Sequence, residues 1–310
     1  MFLPNQYFQI RDTKITLPNA KNPFNFLAFG DIHLSKIVGQ KVLDKLKWLL
    51  EEENPDYYLI LGDLIDSPLV IDDDSKYAEV MAFISYIASI KPVFIILGNH
   101  DFIVDENHEQ KTRFNYDFFV SLNSIKNVTL IINNIIQNDS FCLMGYNQTL
   151  DYYYDRENGK IDPVAFYQDF EPRKELYTNL EKDKPNIALI HSPEFLKSPT
   201  NVDLLNDFDV ILSAHTHDGC VPLGIGNSNR GIISPKKELF PKNIRGIRTL
   251  DNNTYLIING GITKIQYCAP KILHWLNVFC PMQLDKIQIL PGEEKTLETS
   301  KRIVLARTKK

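Results

Sequence analysis

Five short apolar runs in this chain each give way to polar residues of one kind. Phe26-Leu27-Ala28-Phe29 leads into Gly30-Asp31-Ile32-His33, and Tyr57 to Leu61 into Gly62-Asp63-Leu64-Ile65-Asp66. Val93 to Leu97 leads into Gly98-Asn99-His100-Asp101, Ile187 to Ile190 into His191, and Val210 to Ser213 into Ala214-His215-Thr216-His217. Five of the seven histidines fall in this set. Runs of four or five apolar residues bounded by turn formers read as buried strands. In open α/β sheets, ligands collect in the crevice outside the carboxyl ends of such strands. Five strand ends would therefore bring Asp31, Asp63, Asn99, His191 and His215 to one rim. Gly30, Gly62 and Gly98 stand where each strand must turn sharply.

Between these runs the period changes from that of strands to that of helices. Val42, Leu43, Leu46, Leu49 and Leu50 share one face of a helix over 42–53, which Asn54-Pro55 ends. Residues 77–90 read as a second helix, stopped before Pro92. The resulting βαβαβ order implies a parallel sheet. Residues 128–136 and 140–144, separated by Asn138-Asp139, suggest a second set of strands, and residues 151–184 read as polar and aromatic cover. A further strand is expected over 255–258. With no internal repeat or linker, residues 1–310 are expected to form a single domain with a basic, frayed tail over 301–310.

At 310 residues with 44% hydrophobic content, the chain can bury a sizeable core. Its net charge of −5 argues against nucleic-acid backbone as a stable partner. Cys142, Cys220, Cys268 and Cys280 form no C-x-x-C pair, which fits reduced, mostly buried thiols in a cytoplasmic protein. The first residues lack the basic and apolar regions of a secretory signal. No apolar run approaches the roughly 18–20 residues that span a bilayer.

Imidazole together with carboxylate favours zinc, iron or manganese over calcium. Asp31 and His33 are two apart, so an extended backbone would point both to one side. His215 and His217 repeat that spacing. In order and spacing, the five motifs resemble those of the calcineurin-like metallophosphoesterases, enzymes that hydrolyse phosphate esters with two metal ions. The resemblance runs from about residue 8 to residue 290. Through Pro222, Gly224, Pro235, Gly246 and residues 254–261 it looks most like the small bacterial phosphodiesterases, a branch that includes a UDP-2,3-diacylglucosamine hydrolase.

That resemblance implies a four-layer αββα sandwich, with two mixed β-sheets flanked by helices. It implies two divalent ions (Mn2+, Fe2+ or Zn2+), the first held by Asp31, His33 and His217 and the second by Asn99, His191 and His215. Asp63 would bridge them, because a carboxylate has two oxygens to share. It further implies a metal-bound hydroxide as nucleophile, with His100 stabilising the transition state and protonating the leaving oxygen. Asp101 would orient that imidazole, and Asp66 would support the ligands from behind. Two divalent ions against two carboxylates and a hydroxide leave a charge of roughly +1, suited to an anionic phosphodiester or pyrophosphate.

The last motif departs from the family's Gly-His-x-His-Gly-Gly, because Ala214 and Asp218 replace two glycines. Asp218 would either repel a phosphate or bind a positive substrate group. Arg230, Lys236, Lys237, Lys242, Arg245 and Arg248 form a basic segment, read either as a solvated loop or as a rim for a second phosphate or an anionic lipid surface. Residues 272–279 are apolar and read either as core or as a cap over an acyl chain, with peripheral membrane contact. The substrate would then be nucleotide-linked or lipid-linked. His108 and His274 match no motif. The rival readings are a nuclease of the same superfamily and a metal-binding scaffold without catalysis.

Overall fold

The computed structural model describes residues 7–34, 39–66, 74–101, 116–148, 153, 168, 170–171, 180–197, 205–219, 222–223, 230–233, 239–263 and 280–305. In chain order its strands are β1 (Tyr7–Leu17), β2 (Phe24–Phe29), β3 (Tyr57–Ile60), β4 (Val93–Ile95), β5 (Val128–Leu130), β6 (Asn134–Gln137), β7 (Cys142–Tyr146) and β8 (Asn186–Ile190). There follow β9 (Val210–Ser213), β10 (Pro222–Leu223), β11 (Arg230–Gly231), β12 (Gly246–Thr249), β13 (Tyr255–Ile258), β14 (Met282–Pro291) and β15 (Thr296–Leu305). One sheet has the order β15-β1-β14-β2-β3-β4-β5 and the other β12-β13-β9-β8-β7-β6, while β10 and β11 pair with each other. Strands β2 to β5 are mutually parallel, as are β7, β8, β9 and β13. Antiparallel pairings (β15 on β1, β14 on β2, β12 on β13, β6 on β7) make both sheets mixed.

The two sheets face each other across an apolar core. Phe26, Ala28 and Leu59 of the first meet Leu143, Leu189, Leu212 and Ile257 of the second. Phe141, just ahead of β7, lies 5.2 Å ring to ring from both Phe24 and Phe26, so aromatic contacts join the sheets. The outer face of the first sheet is covered by α1 (Gln40–Glu53), α2 (Asp74–Ile90) and the short α3 (Tyr116–Ser121). Helix α1 buries Leu43, Leu46, Leu49 and Leu50, an apolar stripe at helical spacing. It ends at Asn54, whose left-handed φ of 40° precedes Pro55. Tyr153, Phe170, Phe195 and Leu205 cover the second sheet's outer face. This is the sandwich expected from the sequence.

Two local expectations need correction. Residues 128–136 do not all belong to the second set of strands: β5 closes the first sheet and β6 opens the second, with Asn133 at φ 44° turning the chain between them. Residues 301–305 are not frayed, because Lys301–Leu305 pair with Arg11–Tyr7 in β1. Strands β1, β14 and β15 are longer than any strand seen in the sequence. Charged residues such as Arg11, Asp12, Lys286 and Arg302 interrupt their apolar pattern, and a distant register supplies their pairing. Lys236, Lys237, Cys220, Cys268, His108, His274 and residues 272–279 lie outside the described residues.

If the aromatic contact joins the sheets, Phe141→Ala should cost about 3–5 kcal/mol in urea unfolding. A loss below about 1 kcal/mol would show that the two sheets hold without it.

Candidate metal centre

The carboxyl ends of β2, β3, β4, β8 and β9 meet, as the parallel order requires. Asp31, His33, Asp63 and His191 are fully buried there, with Asn99, His215 and His217 nearly so. Donor atoms of Asp31, His33, Asp63 and His217 lie within 4.8 Å of one another, and so do those of Asp63, His191 and His215. Asp63 belongs to both groups. Its Oδ2 is 3.5 Å from His33 Nε2 and 3.2 Å from His191 Nε2. His33 Nε2 and His217 Nε2 are 3.1 Å apart. Donors each ~2.1 Å from a shared ion stand about 3–3.5 Å apart, so these separations suit metal ligation.

The second nitrogen of two imidazoles is already committed. His191 Nδ1 donates to the Leu61 carbonyl and His217 Nδ1 to the Thr263 carbonyl, each at 2.6 Å. Each bond fixes the ring and turns Nε2 toward the cluster, the arrangement of metal-binding histidines. Asp31 Oδ2 and Asn99 Oδ1 are buried with no hydrogen-bond partner among the described residues. Such orphaned oxygens are costly unless something binds them. The residues present therefore fit two divalent ions.

The backbone geometry is unusual. Asp31, His33, Asp63, His215 and His217 all have φ between 46° and 68°. The sequence suggested an extended backbone for Asp31 and His33; the structure instead puts both in the left-handed region. Strained conformations of this kind persist only where surrounding contacts hold them. Here Asp31 N–H donates to Gly62 O and His33 N–H to Asp63 O, both at 3.0 Å. Gly62 itself has φ 91°, and a Cβ there would fall 2.7 Å from His191 Nδ1. Only glycine lets β3 turn beneath that imidazole.

Asp101 differs from its expected role. Its carboxylate accepts the N–H groups of Asp63 (2.8 Å), Gly98 (2.9 Å), Leu64 (3.0 Å) and Ile65 (3.3 Å). It holds the Asp63 turn instead of the His100 ring. The carboxylate beside that ring is Asp66, 3.6 Å from His100 Nδ1. His100 N–H donates to Asp63 Oδ1 at 2.8 Å, and its side chain keeps 27% exposure at the edge of the cluster.

Among the protein groups alone, the charges are strongly coupled. Burial pushes Asp101 up to about 7, with the Asp63 carboxylate adding to the shift. Burial also raises Asp31. It opposes the charge on Asp63 too, but His191, His100 and His33 outweigh it and hold that carboxyl well below its usual range. For His191 burial is likewise outweighed, chiefly by Asp63, and the imidazole rises to about 9. Burial and neighbouring imidazoles push His33 and His215 well down. His100 is raised, because Asp63 and Asp66 overcome its burial.

Residues unseen as site members also contribute. Gln148 accepts from Tyr153 Oη (2.7 Å) and from Ser192 N–H (2.9 Å), and the Tyr153 ring lies 5.5 Å from that of His215. Gly261, at φ 81°, brings its backbone against Asp31. Their signal in sequence was only a polar or small residue beside an apolar run. Asp218 is 2% exposed and sits inside the fold near Gly260 and Gln283, whereas Arg230 is exposed and Arg245 half-buried. The cluster does not include these three. Ala214 does not share the positive φ of its neighbours and packs beside Gly30.

The profile of the calcineurin-like phosphoesterases matches residues 24–219. The chain belongs to this family. It is 25% identical over 211 residues to an uncharacterized metallophosphoesterase of Campylobacter jejuni, covering 68% of this chain and 48% of that one. An uncharacterized metallophosphoesterase of Aquifex aeolicus is 24% identical over 263 residues, covering 83% of this chain and 85% of its own. A Bos taurus transmembrane protein with a metallophosphoesterase domain is 26% identical over 216 residues, covering 67% and 44%. The chain thus spans about half the length of the Campylobacter and bovine relatives. Among solved structures, a dimetal phosphatase from Danio rerio superposes with a TM-score of 0.45 at 14% identity, covering 77% of this chain and 87% of that one. Among the described residues of this phosphoesterase, no helix is long and apolar enough to cross a membrane.

Because a Cβ on Gly261 would lie 2.7 Å from Asp31 Oδ2, Gly261→Ala should displace that ligand. The variant should bind one equivalent of Mn2+ fewer in equilibrium dialysis and lose about 1–2 kcal/mol of stability. Wild-type stoichiometry and affinity in the variant would show that Asp31 does not need this close approach.

Proposed function

We propose that this phosphoesterase hydrolyses a phosphodiester or pyrophosphate at a dinuclear centre. Asp31, His33 and His217 would hold one divalent ion, Asn99, His191 and His215 the other, and Asp63 would bridge them. The single observation that carries this reading is Asp63 Oδ2, set between His33 Nε2 and His191 Nε2 at 3.5 and 3.2 Å. The ions, when bound, supply Lewis acidity and a water acidic near neutral pH. Mn2+, Fe2+ and Zn2+ all suit the imidazole and carboxylate donors.

The protein's own contribution begins with orientation. Backbone carbonyls of Leu61 and Thr263 fix two imidazoles, and Asp101 fixes the turn that carries Asp63. His100 is half-buried at the mouth of the cluster, within reach of both the ligands and solvent. Asp63 and Asp66 favour its protonated form, so it can stabilise negative charge on phosphate and donate a proton to the leaving oxygen. With a site charge of roughly +1, a monoanionic ester is the better match. A nucleotide-linked or lipid-linked ester fits this charge, with Arg230 and Arg245 as candidate contacts outside the cluster. A cytoplasmic protein with peripheral membrane contact is the setting we favour.

Hydrolysis of bis-p-nitrophenyl phosphate should exceed that of p-nitrophenyl phosphate in the presence of Mn2+ and vanish after chelation. Preference for the monoester would overturn the diester assignment, and no metal-dependent turnover of either would favour a scaffold. Asp63→Asn and Asn99→Ala should lose metal and activity together. His100→Ala should keep its metal while turnover falls about 10²–10⁴-fold; normal turnover would remove His100 from the proposed role.

A further inference from the structure

Behind the first group of ligands lies a buried ion pair that touches none of them. Arg11 on β1 and Asp285 on β14 are register partners, 2% and 1% exposed, with Arg11 Nε 2.6 Å from Asp285 Oδ1. Arg11 Nη2 also donates to the Ile258 carbonyl at 2.9 Å, at the end of β13. The other oxygen, Asp285 Oδ2, accepts from Asn259 Nδ2 at 2.7 Å. Asn259 Oδ1 in turn accepts the Gly261 N–H at 2.8 Å. This chain of bonds ends at the turn that lies against Asp31.

The same turn is tied at four further points to the segments that carry Asp31, His33 and His217. Ile262 N–H donates to Gly30 O (3.0 Å) and Thr263 N–H to Asp31 O (2.9 Å). Thr263 Oγ1 donates to Ile32 O at 2.6 Å. The Thr263 carbonyl then accepts His217 Nδ1–H. Residues 259–263 therefore reach both Asp31 and His217 directly, whereas toward the second group they reach only Ser213, whose carbonyl accepts the Asn259 N–H (2.7 Å) two residues ahead of His215.

A buried ion pair is weak evidence for stability, since desolvation offsets much of the attraction. Its value is better sought in specifying one geometry. We propose that Arg11, Asp285 and Asn259 are positioning residues for the ion held by Asp31, His33 and His217, acting through the 259–263 turn. This rests on the dinuclear reading above. Residues behind the ligands commonly change metal affinity about 10–100-fold.

The test is equilibrium dialysis of the full chain against Mn2+, with metal and protein quantified. The double variant Arg11→Met/Asp285→Leu removes both charges together and leaves neither buried alone. Asn259→Ala cuts the chain one link closer to the turn and carries the test if the double variant does not fold. Wild-type protein should bind two ions. Either folded variant should keep one ion at wild-type affinity and bind the other about 10–100-fold more weakly. In the variant background, Asn99→Ala should abolish the retained ion, whereas His217→Ala should leave it. Two ions at wild-type affinity, or equal weakening of both, would overturn the positioning role. Wild-type protein that binds fewer than two ions would instead overturn the dinuclear reading, and the proposal with it.

Discussion

Everything at the rim answers to one constraint: Asp31 and Asp63 must be buried as carboxylates beside four buried imidazoles. Removing such groups from water costs several kcal/mol each unless they compensate one another. Asp63 solves most of this by standing between two sets of histidines, which hold its carboxyl ionised against the pull of burial. Asp31 is less compensated and is raised, with one oxygen still lacking a partner among the described residues. Divalent ions, when bound, would complete what the side chains leave unfinished.

The backbone adapts to that demand. Five candidate ligands adopt left-handed φ angles, which place a side chain where a regular strand end would not. Such strain needs support, and at Asp31, His33 and Asp63 hydrogen bonds that continue the ladder between β2 and β3 beyond the strands supply it. The Asp101 carboxylate accepts four backbone N–H groups, three of them from the Asp63 turn and one from Gly98. The site is therefore held by rigid elements on several sides, as preorganised chemistry requires.

Much of this was legible from the chain. Strands β9 and β13, helix α1 and the order of the motifs follow from short apolar runs and from leucines at helical spacing. The candidate ligands were legible because Asp, Asn and His directly after buried strands serve no packing purpose. Strands β1, β14 and β15 were not, because their charged residues hide the alternation and their partners lie far along the chain. Nor was the role of Asp101: in sequence it adjoins His100, yet its carboxylate turns to amides some 36–38 residues away.

Local sequence by itself determined which side chains would stand at strand ends, since apolar runs must be buried and glycine lets them turn. It also pointed to the family, through five motifs at strand ends. Only the tertiary structure decided which donors stand close enough to share an ion, which carboxylate faces His100, and that Arg11 and Asp285 are linked to the turn against Asp31. These depend on the register between strands from opposite ends of the chain. No local pattern encodes a register that forms only when two sheets close on a common core.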